Sequence, residues 1–220
     1  MDPSFWIERW DNRQIGFHQQ HVNPYLQAFW PRLDIPSNCT VFVPLCGKSG
    51  DMQWLHARGH SVMGVEISRT AIQEFFAEQR IEPAVTRGPR FECWESPGFR
   101  LLCGDFFALN IDDCREVQAV FDRAALVALP KEMRRRYAEK MSAVVPHAQT
   151  LLVSMTYSQE QMNGPPFSVD EAEVREAFLG RRIEKLRDVD VLAQEDNARF
   201  RERGVSRMSE QAYLISSRAQ

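Results

Sequence analysis

The 220-residue sequence lacks any run of roughly 18 apolar residues, so no membrane-spanning helix is expected. Its first ten residues, "MDPSFWIERW", carry neither a basic segment nor a long apolar one, which speaks against a secretory leader. Cysteine is sparse: Cys39, Cys46, Cys93, Cys103 and Cys114 are odd in number and scattered, with no C-x-x-C pair. That usage argues for reduced thiols in a cytoplasmic compartment. An excess of one charge is missing too, with 27 Lys and Arg against 30 Asp and Glu. Nothing in this balance favours nucleic acid. The run Arg134, Arg135, Arg136 is the obvious candidate for a basic face. Its neighbours Met133, Tyr137 and Met141 recur at helical spacing, which puts the arginines on the wet side of an amphipathic helix.

Several catalytic signatures are also absent. "VFVPLCGKSGDM", residues 41 to 52, contains the Gly-Lys-Ser of a phosphate-binding loop, but the required upstream glycine is Phe42. A bulky aromatic in an apolar run belongs to a strand and leaves no cradle for phosphates. No dinucleotide fingerprint G-x-G-x-x-G and no G-x-S-x-G nucleophile elbow occurs. His18 and His21 could share a helical face, yet no third ligand stands beside them, so no metal site is expected. Cys46, behind a strand, reads as a small core residue.

What is present is an alternation of apolar runs with helical patterns. Asp2-Pro3 and Asn23-Pro24 each pair an N-cap with a proline at the first helical position, and Pro31 stops the second of these two helices. Strands are expected at residues 41–45, 61–65, 91–103, 117–121, 150–155, 182–190 and 211–216. Helices lie between them: one ending before Gly59, one from Ser68 through Phe76, one after Pro130, and one opened by a Ser168/Glu171 capping box and running to about Leu179. The fold class expected is α/β, a Rossmann-like, seven-stranded, mostly parallel sheet with helices on both faces. A single domain spans 1–220, with N-terminal helices at 1–35, a sheet core at 40–217, and polar insertions near 156–167 and 192–209.

In an open α/β sheet, ligands sit beyond the carboxyl ends of the strands. There the turn Leu45, Cys46, Gly47 brings bare backbone close to a ligand, or serves the fold alone. Glu66 follows strand two, where doubly wound folds place an acid that takes both ribose hydroxyls. A solvated acid at a helix start is the alternative. Gly104 and Asp105 end strand three where an adenine edge would lie. After the next strand, Arg123 either aims its donors into the cleft or caps a neighbour through Asp122. Ribose recognition without a phosphate cradle suits S-adenosylmethionine, whose sulfonium also favours aromatic faces. Trp6, Trp10 and Phe17 could supply them, although tryptophans four apart also describe an ordinary packing face.

Here the sequence resembles a known family. "FWIERW", "IGFH", "VPLCGKSGDMQWL", "GVEIS", "FDRAALVAL" and "GPPF" are similar, in order and over essentially the full chain, to the bacterial thiopurine S-methyltransferases. The resemblance implies a class I methyltransferase fold with an N-terminal helical lid. It also implies methyl transfer from S-adenosylmethionine to aromatic or heterocyclic thiols, with selenium or tellurium compounds as further acceptors in detoxification. It places Trp10, Leu45, Gly47, Glu66, Gly104, Asp105 and Arg123 at the cofactor, and Phe17 and Arg203 at the acceptor. Arg123 takes the role of favouring a thiolate, and no general base is assigned. A monomer acting on a small-molecule thiol is expected, without nucleic acid or membrane partners. The rival readings are a nicotinamide-dependent oxidoreductase on a similar sheet, and a binding module that uses the Trp and Arg residues at a protein interface.

Overall fold

The computed structural model describes residues 2–217. Both amino-terminal caps form as their residues dictate. Asp2 accepts the Ser4 N–H to open α1 (Pro3–Asp11), and Asn23 accepts those of Tyr25 and Leu26 to open α2 (Pro24–Phe29). Pro31 sits in a short 3-10 turn, Trp30–Arg32, that continues α2.

The strands are β1 (Thr40–Pro44), β2 (Ser61–Glu66), β3 (Ala84–Arg87), β4 (Glu92–Ser96), β5 (Phe99–Cys103), β6 (Val117–Arg123), β7 (Gln149–Tyr157), β8 (Arg182–Asp190) and β9 (Met208–Ser216). They form one sheet in the order β3-β4-β5-β2-β1-β6-β7-β9-β8. Among the described residues the sheet is nine-stranded and mixed rather than seven-stranded and mostly parallel. β5, β2, β1, β6 and β7 run parallel, while β9 pairs antiparallel with both β7 and β8. One additional strand arises because the stretch expected to hold a single strand at 91–103 holds two, β4 and β5; the other, β3, precedes that stretch. Pro97 lacks an N–H and Gly98 has φ +83, so the chain turns back and β4 pairs antiparallel with β5. β3 adds to that edge with four exposed residues, whose lack of apolar alternation left no signal.

Alternation along the central strands divides the core. Val41 and Val43 face one side with Leu55, Ile72 and Phe75, from α3 (Gly50–Ala57) and α4 (Arg69–Gln79). Phe42 faces the other side with Tyr137, Met141 and Val174, from α5 (Lys131–Val144) and α6 (Glu171–Ala177). Burial of this kind stabilises by roughly 25 cal/mol per Å² of apolar surface. A third cluster, including Tyr157, Met162, Phe200 and Met208, joins the two polar insertions to each other and to α7 (Ala198–Glu202).

Two local expectations are corrected. α6 is capped by Asp170, which accepts the Glu173 N–H at 2.8 Å, and not by Ser168. The chain is still extended at Val169, whose N–H bonds to Met155, and the Ser168 hydroxyl instead accepts the Tyr157 N–H. Arg134 is not on the wet side of α5. It is 5% exposed, pairs with Glu173 through two N–H groups and donates a third to the Leu129 carbonyl. No described helix is long and apolar enough to cross a membrane.

Candidate active site

Strand order reverses between β1 and β6, the place where an open α/β sheet leaves a crevice at its carboxyl end. A cavity of about 270 Å³ lies there. Its walls come from α1, the segment 14–18, the turns after β1 and β6, the end of β2, and the Pro165–Pro166 and α7 segments.

The turn after β1 is held in an unusual shape. Leu45 has φ +46 and Gly47 φ +52, left-handed values that suit glycine and strain a branched residue by about 1–3 kcal/mol. The surroundings over-determine it: the Cys46 N–H donates to the Val65 carbonyl at 3.0 Å, and the Cys46 thiol fills space against Gly64. At Gly47 a Cβ would meet the Trp10 indole at 2.9 Å. Glycine therefore serves both the backbone angle and the close approach of the tryptophan.

Glu66 is 5% exposed at the end of β2. Its Oε2 accepts the Gly47 N–H and its Oε1 the Ser68 N–H, each at 2.8 Å. Burial raises its pKa above the usual glutamate value, and these backbone N–H groups pull the other way. Each carboxylate oxygen keeps a lone pair for a further donor, so the group can still accept two hydroxyls from the cavity side. This excludes the solvated helix-start alternative for Glu66.

Trp10, Leu45, Gly47, Glu66, Arg123, Phe17 and Arg203 all line the cavity. The Phe17 ring meets Trp6 and Trp10 edge to face, with centroids 5.4 and 5.5 Å away. Arg123 donates to the Phe17 carbonyl at 3.4 Å, while Asp122 turns inward to the Tyr137 hydroxyl at 2.7 Å. Of the two readings of Arg123, the one aimed at the cleft holds. Gly104 and Asp105 do not line the cavity. The Gly104 N–H donates to the Glu66 carbonyl, and the exposed Asp105 caps the short turn that follows β5.

Three groups had gone unrecognised or unexplained in the sequence. Lys48, the lysine of the Gly-Lys-Ser letters, has its Nζ 2.7 Å from both Glu74 and Glu78, fastening the β1 turn to α4. His18 lines the cavity, and burial first, then the charge on Lys48, lower its pKa. Asp51, in the first turn of α3, is 3% exposed and also lines the cavity. Its carboxylate sits where a dinucleotide's pyrophosphate would have to approach a helix N-terminus, so the site disfavours phosphate. In sequence Asp51 looked like any acid that complements a helix dipole. No further signal marked it as buried.

A crevice at the strand-order reversal, a buried acid at the end of the neighbouring strand and an aromatic wall fit an α/β fold of the S-adenosylmethionine-dependent methyltransferase class. Solved structures agree on the fold. A SAM-dependent methyltransferase from Anabaena variabilis superimposes with TM-score 0.62 at 11% identity, covering 98% of this chain and 95% of that one. One from Methanosarcina mazei gives 0.61 at 13% identity, covering 89% and 98%. Sequence comparison is more specific. The family model described as thiopurine S-methyltransferase matches residues 1–218. A thiopurine S-methyltransferase of Pseudomonas putida is 46% identical over 217 residues, covering 98% of this chain and 100% of the relative. One of Methylococcus capsulatus is 48% identical over 222 residues, covering 100% and 99%. The chain belongs to the thiopurine S-methyltransferase family.

Proposed function

We propose that this chain methylates the sulfur of aromatic and heterocyclic thiols, thiopurines among them, with S-adenosylmethionine as donor. The observation that carries the reading is Glu66, a buried carboxylate fixed by the Gly47 and Ser68 N–H groups and open to a cavity walled by Trp10. The fit to the donor is chemical: a ribose-binding acid, bare backbone at Gly47, aromatic faces for a sulfonium, and an acid where a phosphate would need donors. When bound, S-adenosylmethionine supplies a methyl group already activated on sulfur, for in-line transfer to the acceptor.

The chain's own residues then have positioning and electrostatic work to do. Glu66 orients the ribose. Gly104, bonded to the backbone of Glu66, and Asp105 continue that edge beside the base. Phe17, braced by two tryptophans, offers a ring edge to the acceptor. Arg123 and Arg203 favour its thiolate form, so the acceptor proton leaves to solvent before attack. α1 acts as a lid that keeps water from the reacting atoms. Cysteine chemistry is not needed: burial pushes the Cys103 and Cys114 thiols up to about 11, and raises that of Cys46 well above its ordinary value. We extend the acceptor range to selenium and tellurium compounds, as a detoxification route, and place the protein in the cytoplasm as a monomer, in keeping with its five unpaired thiols.

Calorimetric titration tests the donor half of this reading. S-adenosylhomocysteine is expected to bind and NAD not to. Tight binding of NAD alone would sink it in favour of the oxidoreductase.

A further inference from the structure

Two opposite charges face the cavity without meeting. Asp51 approaches from α3, where its Oδ1 accepts the Asn23 N–H at 2.7 Å and its Oδ2 the Ser49 hydroxyl at 2.9 Å. Arg123 approaches from the end of β6, with one long bond to the Phe17 carbonyl as its hydrogen bonding and, among the described residues, no salt-bridge partner. Each nevertheless feels the other: Arg123 opposes the effect of burial on Asp51, and Asp51 opposes it on Arg123. Other titratable groups line the same cavity: His18 from the segment after α1, Glu210 from β9, Arg9 from α1, Lys48 and Glu66 at the ribose end, and Arg199 and Arg203 from α7 and the residue after it. Glu210 is already engaged with the Tyr25 hydroxyl.

A lone anion that satisfied Arg123 would be repelled by Asp51, and a lone cation would meet the reverse problem. A zwitterion with its two charges on neighbouring atoms satisfies both. We infer that Asp51 anchors the α-ammonium of the cofactor's amino-acid tail, opposite Arg123, one edge of whose five-donor guanidinium takes the α-carboxylate and leaves the other for the acceptor. This rests on the methyltransferase reading and adds to it a residue that the nucleoside motif does not include. The placement is consistent along the chain. Gly47 ties the turn to Glu66 at the ribose end, and Asp51 lies four residues further on, against the same cavity.

The test uses binding by the full chain, read by calorimetry, with four probes: S-adenosylhomocysteine, 5′-(3-aminopropyl)thioadenosine, 5′-(3-carboxypropyl)thioadenosine and the uncharged 5′-propylthioadenosine. In the unaltered protein the aminopropyl probe is expected to bind about tenfold or more tighter than the propyl one, the scale of a hydrogen bond to a charged group. Equal binding of those two overturns the proposal without any variant. Asp51→Asn keeps an oxygen for the Asn23 N–H. It is expected to weaken S-adenosylhomocysteine and the aminopropyl probe about tenfold to hundredfold, and the carboxypropyl probe by less than about twofold. Uniform weakening of all four probes would mean a structural cap, and a selective loss in Glu210→Gln in place of Asp51→Asn would assign the ammonium elsewhere. Either result overturns the proposal. If the unaltered protein bound no adenosine probe, the methyltransferase reading itself would fall first.

Discussion

Glu66→Gln is the substitution that bears most directly on the site. Both protein partners of the carboxylate are N–H donors at 2.8 Å, so the new amide must turn its NH₂ toward either Gly47 or Ser68, donor against donor. A stranded buried N–H costs about 1–3 kcal/mol. Removing the charge offsets part of this, because burial penalises the ionised carboxylate, the direction in which its pKa is raised. Stability should therefore change little, within about 4 °C in Tm for a chain of this size. Affinity has no such offset. One ribose hydroxyl loses its acceptor, about 1.5–3 kcal/mol, which weakens S-adenosylhomocysteine roughly tenfold to hundredfold. The pH profile separates the same cause a second way. Protonating Glu66 removes an acceptor, so affinity in the unaltered protein falls as pH drops through a pKa above the ordinary glutamate value, and the Gln variant lacks that limb. Calorimetry across pH, with a melting curve on each sample, reads both. Unchanged affinity with Glu66→Gln, alongside a large fall in Tm, would refute the reasoning and make Glu66 a purely structural clasp.

Gly47→Ala forces a side chain into φ +52 and against the Trp10 indole, and should lower Tm through a loss of about 1–3 kcal/mol as well as weaken cofactor binding. Lys48→Met leaves Glu74 and Glu78 as unpaired like charges one turn apart. A loss of about 1 kcal/mol in urea denaturation is expected, with calorimetric affinity reduced as the β1 turn loosens. Asp122 is fully buried and its pKa is raised to about 6 by burial, against the Tyr137 hydroxyl that favours the charged form. The folded state thus holds a proton that the unfolded chain, near 3.9, releases. Its contribution to stability is present below about pH 4 and lost as pH rises through about 6. Asp122→Asn should flatten the pH dependence of Tm between those limits, and an unaltered slope would remove the assignment.

The central sheet was legible in the sequence because β1, β2, β6 and β7 are buried on both faces and read as unbroken apolar runs between helical patterns. Glu66 and Arg123 were legible for a related reason: in such a sheet, ligand-facing residues follow the strands directly. The β4–β5 hairpin was missed although Pro97 and Gly98 mark a turn, since β4, with Glu92, Glu95 and Ser96 among its five residues, is too polar to stand out as a strand of its own. Asp51 was passed over and Arg134 misjudged because burial of a charged residue depends on tertiary partners, here Asn23 and Glu173, that lie 28 and 39 positions away. Lys48 belongs to the same class. Its two glutamates stand on the next helix but one turn apart, a spacing that carries no meaning until the β1 turn is placed beside them.

The central claim is methyl transfer to sulfur, and the most direct measurement of it is product analysis. The purified protein would be incubated with methyl-labelled S-adenosylmethionine and a panel of thiophenol, a thiopurine, selenite and tellurite. The account predicts a labelled S-methyl thioether from the thiols, formed one for one with S-adenosylhomocysteine. A protein that binds S-adenosylhomocysteine yet transfers no label to any aromatic or heterocyclic thiol would contradict it.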